Sequence, residues 1–161
     1  MALTREERQR RRSAARLYAV QALFQMEASK ARLPEIITEF ETHRFGAVVD
    51  DVEFSEANID HFRALVEAAV ARQAEIDQMT DRALVAKWPI DRIDPTLRAL
   101  FRAAGAEITA METPPKVTIT EFVDVATAFF PEGREPRFVN AVLDHMAREA
   151  KPEAFDPPKT A

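Results

Sequence analysis

Residues 114–143 read PPKVTITEFVDVATAFFPEGREPRFVNAVL, and this stretch decides the fold. Thr118 and Glu121 stand at capping-box spacing, and Pro114 and Pro115 bar an earlier start, so the pattern predicts a helix opening near Val117. Ile119, Phe122, Val123, Ala126, Phe129 and Phe130 recur at steps of three and four, which gathers them on one apolar helical face that must be buried. Pro131, Gly133 and Pro136 break the pattern: proline lacks the amide a helix interior needs, and Pro136 suits the first turn of a new helix. Phe138, Val139, Val142, Leu143 and Met146 carry that second helix.

Working outward, a chain of 161 residues can bury about 70% of the surface its unfolded form exposes. With 47% hydrophobic residues and only three glycines it reads as helical and globular. The absence of cysteine excludes a disulfide framework, a thiolate metal site and a cysteine nucleophile. No apolar run approaches the ~20 residues of a membrane span, and the first residues are charged, unlike a signal-peptide core, so a soluble, cytoplasmic protein is expected.

The net charge of −5 conceals an asymmetry. The first sixteen residues hold six arginines and two glutamates, a net of +4, while the remainder has 16 basic and 25 acidic side chains, a net of −9. A basic end on an acidic body suits a localised anionic partner. Thr4 and Glu7 repeat the capping-box spacing, predicting a first helix that runs to about Ser29. On it Arg5, Arg8, Arg12 and Arg16 form a stripe beside Leu17, Val20, Leu23 and Phe24. Arginine near a helix N-terminus opposes the macrodipole, so these residues read either as a solvated helix start or as a cationic surface with a use other than stability.

Pro34 opens a second helix carrying Ile36, Ile37 and Phe40 and ending near Gly46, and Val49–Glu53 reads as an acidic loop. Ser55 is the expected cap of a third helix with Ile59, Phe62, Leu65, Val66, Ala69 and Val70. These three helices make a first subdomain over residues 1–75. A second, over 76–152, begins with a short helix marked by Ile76, Met79, Leu84 and Val85. It continues past Trp88, expected to anchor the linker on the core, to a helix capped by Asp94 with Pro95 in its first turn and reaching Met111. Gly105 and Ala106 imply either looser packing of that helix or a closer neighbour. The proline-containing tail, residues 153–161, is expected to be disordered.

Catalytic patterns are missing. His43, His61 and His145 lack metal-ligand spacing, and Gly46, Gly105 and Gly133 are too scattered for a phosphate-cradling loop. Recognition remains. Arg137 and Phe138 sit side by side at the start of the last helix, a pairing that gives single-stranded RNA a phosphate partner and a stacking surface; core packing is the alternative for Phe138.

Three motifs in order carry a family resemblance from Arg10 to about Ala147. RRRSAARLYAVQALFQME contains Ala19, Gln21, Leu23 and Phe24 of A-x-Q-x-L-[FY]; KWPIDRIDPTLRALFR supplies Trp88, Arg92, Leu100, Phe101 and Arg102; and PPKVTITEFVDVA followed by RFVNAVLD resembles P-x-K-V-x-I-N-E-x-x-x-x-A and K-F-V-N-G-V-L-D, with Thr120 for Asn and Ala141 for Gly. The chain resembles the NusB family of transcription antitermination factors. The resemblance implies an all-α protein of two adjoining small helical bundles, about seven helices, with no cofactor and no catalysis. It implies RNA contacts at Arg11, Arg12, Arg16, Phe24, Arg137 and Phe138, with Phe24 open between base platform and core residue. It further implies a NusE partner (a small-subunit ribosomal protein) on the helices between Ile76 and Met111, with Leu97 and Arg98 as candidates. With NusE such a protein holds boxA RNA within an RNA polymerase complex containing other Nus factors and suppresses premature termination in ribosomal RNA operons. The other readings are a protein-only helical adaptor and a stand-alone relative of the RNA-targeting module of RNA cytosine methyltransferases.

Overall fold

Thr4 opens the structure as the sequence predicts: its hydroxyl accepts from the Glu7 amide at 3.1 Å while the Glu7 carboxylate accepts from the Thr4 amide at 3.0 Å, and helix α1 (Arg5–Ser29) follows. Our computed structural model describes residues 2–45, 48–49, 52–53, 56–84 and 92–155. The readings of Gly46, Ser55, Val85 and Trp88 lie outside the described residues. Helix α1 ends at Lys30, whose left-handed backbone (φ 59°) turns its amide onto the Met26 carbonyl at 2.8 Å.

Helix α2 (Leu33–Glu39) passes directly into a wider π-helical turn, Phe40–Arg44. That turn seats Phe40 among aromatic rings: Phe62 is stacked on it at 5.6 Å, and Tyr18 meets it edge-on at 6.3 Å. The segment expected as a loop contains a minimal antiparallel ladder, β1 (Val48–Val49) with β2 (Val52–Glu53). Helix α3 (Ile59–Ala71) is capped by Asn58, whose side chain accepts from the His61 amide at 2.9 Å and whose own amide donates to the Arg11 carbonyl at 2.9 Å, tying the start of α3 to α1.

Helix α4 (Gln73–Ala83) leads to α5 (Pro95–Ala110), which starts as expected on an Asp94 side-chain cap, 2.7 Å from the Thr96 amide. Helix α5 is the central element, in contact with α1, α3, α4, α6 (Pro115–Phe129) and α7 (Glu135–Ala150). Among the described residues the result is an all-α architecture of seven helices packed around α5, with a core that runs from Ala15 and Phe62 through Leu100 and Phe101 to Phe122 and Leu143. Where α4 crosses α5, a Cβ on Gly105 would lie 2.4 Å from Ile76 Cγ2, so the small residue serves a closer neighbour.

Two expectations are corrected. Helix α6 begins at Pro115 on Pro114, two residues before Val117, and Thr118 is no cap: it is fully buried inside the helix, with no hydrogen-bond partner for Oγ1 among the described residues. The Glu121 side chain turns to α1 instead. Residues 153–155 of the expected tail are also ordered: just ahead of them Lys151 Nζ donates to the Met111 carbonyl at 2.7 Å, Pro152–Ala154 form a 3-10 turn, and the Phe155 ring lies under Arg148.

Candidate nucleic-acid interface

The arginines of α1 separate into three groups once the helix is docked. Arg5, Arg8, Arg10 and Arg12 are exposed, Arg11 is half-buried, and Arg16 is 3% exposed. Burial of a guanidinium requires partners, and Arg16 has them: its Nε lies 2.9 and 3.1 Å from the two oxygens of fully buried Glu107, and Nη1 lies 3.5 Å from Glu121. His61 Nε2 reaches Glu107 at 2.7 Å, and the Ser13 hydroxyl donates to Glu121 at 2.8 Å. Burial by itself pushes the Glu107 carboxyl up, but the hydrogen bonds from His61 and Arg16 outweigh it and hold its pKa below the usual value. Arg16, expected to touch RNA, is therefore a structural residue joining α1 to α5 and α6.

Helix α6 runs parallel to α1, because Ser13 meets Glu121 near one end and Phe24 shares a cleft with Phe129 near the other. Two clefts line this seam. The first, about 480 Å³, has Arg10 at its mouth, Leu17 and Tyr18 on its floor, and Glu121 and Asp124 opposite. The second, about 490 Å³, lies among Phe24, Gln25, Arg44, Thr96 and Phe129. Gln21 lines both, so the two clefts adjoin at that residue along α1. Phe24 is 40% exposed, which resolves its two readings in favour of an accessible ring.

At the far end, Phe129 leads through the α6–α7 turn to Arg137 and Phe138. A Cβ on Gly133 in that turn would meet the end of the Glu135 side chain, at 1.7 Å from a carboxylate oxygen, which a rotation of that flexible side chain can relieve. Arg137 is exposed and forms no ion pair among the described residues. Phe138 is half-buried, edge-on to Phe101 at 6.1 Å, so core packing claims much of the ring. Asn140 is exposed. Arg10 and Phe24 are separated by roughly 21 Å of helix rise, and no residue of α7 lines either cleft.

The candidate partner residues are also placed differently from the expectation. Leu97 is 6% exposed and belongs to the core, and Arg98 is held by Glu27 through Nε at 2.9 and 3.1 Å and by the Ile93 carbonyl at 3.3 Å. Sequence reasoning passed over Arg10, Gln21 and Phe129 as site residues. The signal was available: residues 10, 17, 21 and 24 fall at steps of seven, four and three, a single helical stripe ending on an aromatic. Among the described residues no cluster of three or more metal-ligating side chains occurs, and no helix is long and apolar enough to cross a membrane.

Comparison with known proteins bears on this geometry. Residues 13–148 match the NusB family. A relative named transcription antitermination protein NusB, from Maricaulis maris, is 47% identical over 151 residues, covering 93% of this chain and 94% of its own. Among solved structures, T. maritima NusB superposes with a TM-score of 0.69 at 28% identity, over 89% of this chain and 95% of that one. A structure of the antitermination factors NusB and NusE in complex with dsRNA gives 0.67 at 23% identity, over 87% and 98%; at that identity the likeness is one of fold.

Proposed function

Because the chain belongs to the NusB family, we propose that it is an RNA-binding transcription antitermination factor. In this reading it pairs with NusE, holds boxA-type single-stranded RNA, and in a complex of RNA polymerase with other Nus factors suppresses premature termination in ribosomal RNA operons. It acts in the cytoplasm by binding alone, without catalysis or a cofactor. The observation that carries the reading is the α1–α6 groove: on an acidic body, a track with unpaired arginines at its start and an exposed ring further along it. Phosphates are taken by point charges and bases by aromatic faces, and the groove offers both in sequence. RNA held by this surface and by NusE gains from effective concentration, so two weak contacts suffice to keep the transcript near the polymerase.

Arg10, Arg11, Arg12 and Arg137 are the phosphate contacts in this account, with Arg10 replacing Arg16. Four contacts to a single strand predict a slope of about −3 in a log–log plot of affinity against salt. Filter binding of a boxA-type strand measures it, and the Arg10→Ala, Arg12→Ala double variant should flatten the slope to about −1.4. A salt-independent response in the wild-type protein would instead favour a protein-only adaptor.

A further inference from the structure

A third cleft opens beside the basic start of α1, where the chain enters α3. It measures about 310 Å³, and Glu7, Arg10, Arg11 and Glu56 line it. Arg10 lines the first cleft as well, so the two adjoin at that residue.

The two carboxylates of this cleft are not equivalent. That of Glu7 is committed to the helix cap, where it accepts from the Thr4 amide at 3.0 Å. Glu56 is exposed and makes no hydrogen bond or ion pair among the described residues. The residues after it nevertheless fix its place: Ala57 is 5% exposed, and the Asn58 amide donates to the Arg11 carbonyl at 2.9 Å. Its charge also reaches α1, where burial first and Glu56 second push the Tyr18 phenol above its ordinary pKa. An uncommitted carboxylate is thus held in one cleft with two guanidiniums that the RNA-binding reading assigns to phosphate.

A carboxylate only accepts hydrogen bonds, and it repels phosphates. The backbone of a single RNA strand offers it one donor, the ribose 2′-hydroxyl, which DNA lacks. No aromatic ring lines the cleft to stack a base, and a cationic protein side chain would meet Arg10 and Arg11. Its volume lies at the small end of ligand sites, roughly 300–1,000 Å³, which suits one sugar with its phosphate.

Building on the RNA-binding reading above, we propose that this cleft is a ribose–phosphate subsite: Glu56 accepts a hydrogen bond from one 2′-hydroxyl while Arg10 and Arg11 hold the adjoining phosphates, so that Glu56 selects RNA over DNA. Towards a DNA strand the same carboxylate gains no donor and keeps its repulsion, so both effects favour RNA.

The test measures binding of the full chain, at fixed salt, to a boxA-type RNA strand, to its DNA counterpart, and to RNA strands carrying a single 2′-deoxy or 2′-fluoro sugar at each position in turn. At one position either substitution should weaken wild-type binding by about 2- to 12-fold, the worth of one net hydrogen bond. The 2′-fluoro sugar keeps the RNA-like pucker without the donor, so equal losses assign the effect to the hydroxyl proton. Glu56→Ala should remove that penalty and narrow the preference for RNA over DNA, whereas Glu56→Gln, which retains an acceptor, should keep the penalty in part. If no single position shows a penalty, or if the penalty persists in Glu56→Ala, the inference is overturned and the RNA reading stands. If Glu56→Ala tightens RNA and DNA by the same factor, the carboxylate only repels and the inference is again overturned. If no strand binds in a salt-dependent way, both fall.

Discussion

Gly105 is a residue whose substitution reverses the usual rule. In an exposed helix interior, glycine to alanine gains about 1 kcal/mol from propensity. Here the new methyl would overlap Ile76, and over-packing costs about 1–3 kcal/mol, so Gly105→Ala is expected to lower stability in urea denaturation rather than raise it. Thr118 runs the other way. Its buried hydroxyl lacks a partner, and Thr118→Val should stabilise by about 1 kcal/mol, read as a higher denaturation midpoint at unchanged slope. The same residue shows how sequence misleads at this scale: Thr118 and Glu121 have capping-box spacing, yet Glu121 found better partners in Ser13 and Arg16 on another helix. Only the tertiary structure brings those groups together. Thr4 and Glu7, at the start of an exposed helix with no competing partner, followed the local rule.

At the scale of elements, the structure is joined where α1, α3, α5 and α6 converge on Glu107. Arg16 and His61 meet its carboxylate and Glu121 meets Arg16, so one buried acid positions the helix that bears the arginines. Removing one partner of a buried pair costs about 3–5 kcal/mol, since the other charge is left uncompensated. Glu107→Gln should show a loss of that order near neutral pH. The pH dependence follows from the lowered pKa: the folded value lies below the unfolded one near 4.5, so the stabilisation is present above pH 4.5 and is lost as pH falls through the folded value. Stability measured from pH 7 downward should therefore show a steeper acid limb in the wild type than in Glu107→Gln. Much of the arrangement at this scale was legible from periodicity and proline positions, including the limits of α1 and α5 and the entry of Pro136 into α7. The assignment of Arg16 to RNA failed because the six arginines between residues 5 and 16 share one chemistry, and only docking separates the buried one from the exposed.

For the whole molecule, the arrangement of charge distinguishes this surface. Arg63, Arg82, Arg102 and Arg148 each close on a carboxylate of the acidic body, whereas Arg10, Arg12 and Arg137 are exposed without an ion pair among the described residues. An anion steered by the long-range field thus finds exposed cations at the start of α1 and the start of α7. The sequence foretold the two cationic ends. It did not reveal the seam between α1 and α6, because their parallel course depends on contacts more than a hundred residues apart, such as that between Ser13 and Glu121.

If the seam between α1 and α6 carries the RNA, amide chemical shifts of the labelled protein report it during titration with a boxA-type single strand. The shifted resonances should then trace Arg10, Gln21, Phe24, Phe129 and Arg137, and fade together as salt is raised. Shifts confined to residues outside the seam, such as those around Arg63 and Arg82, or none at a strand concentration that saturates other single-strand binders, would contradict it.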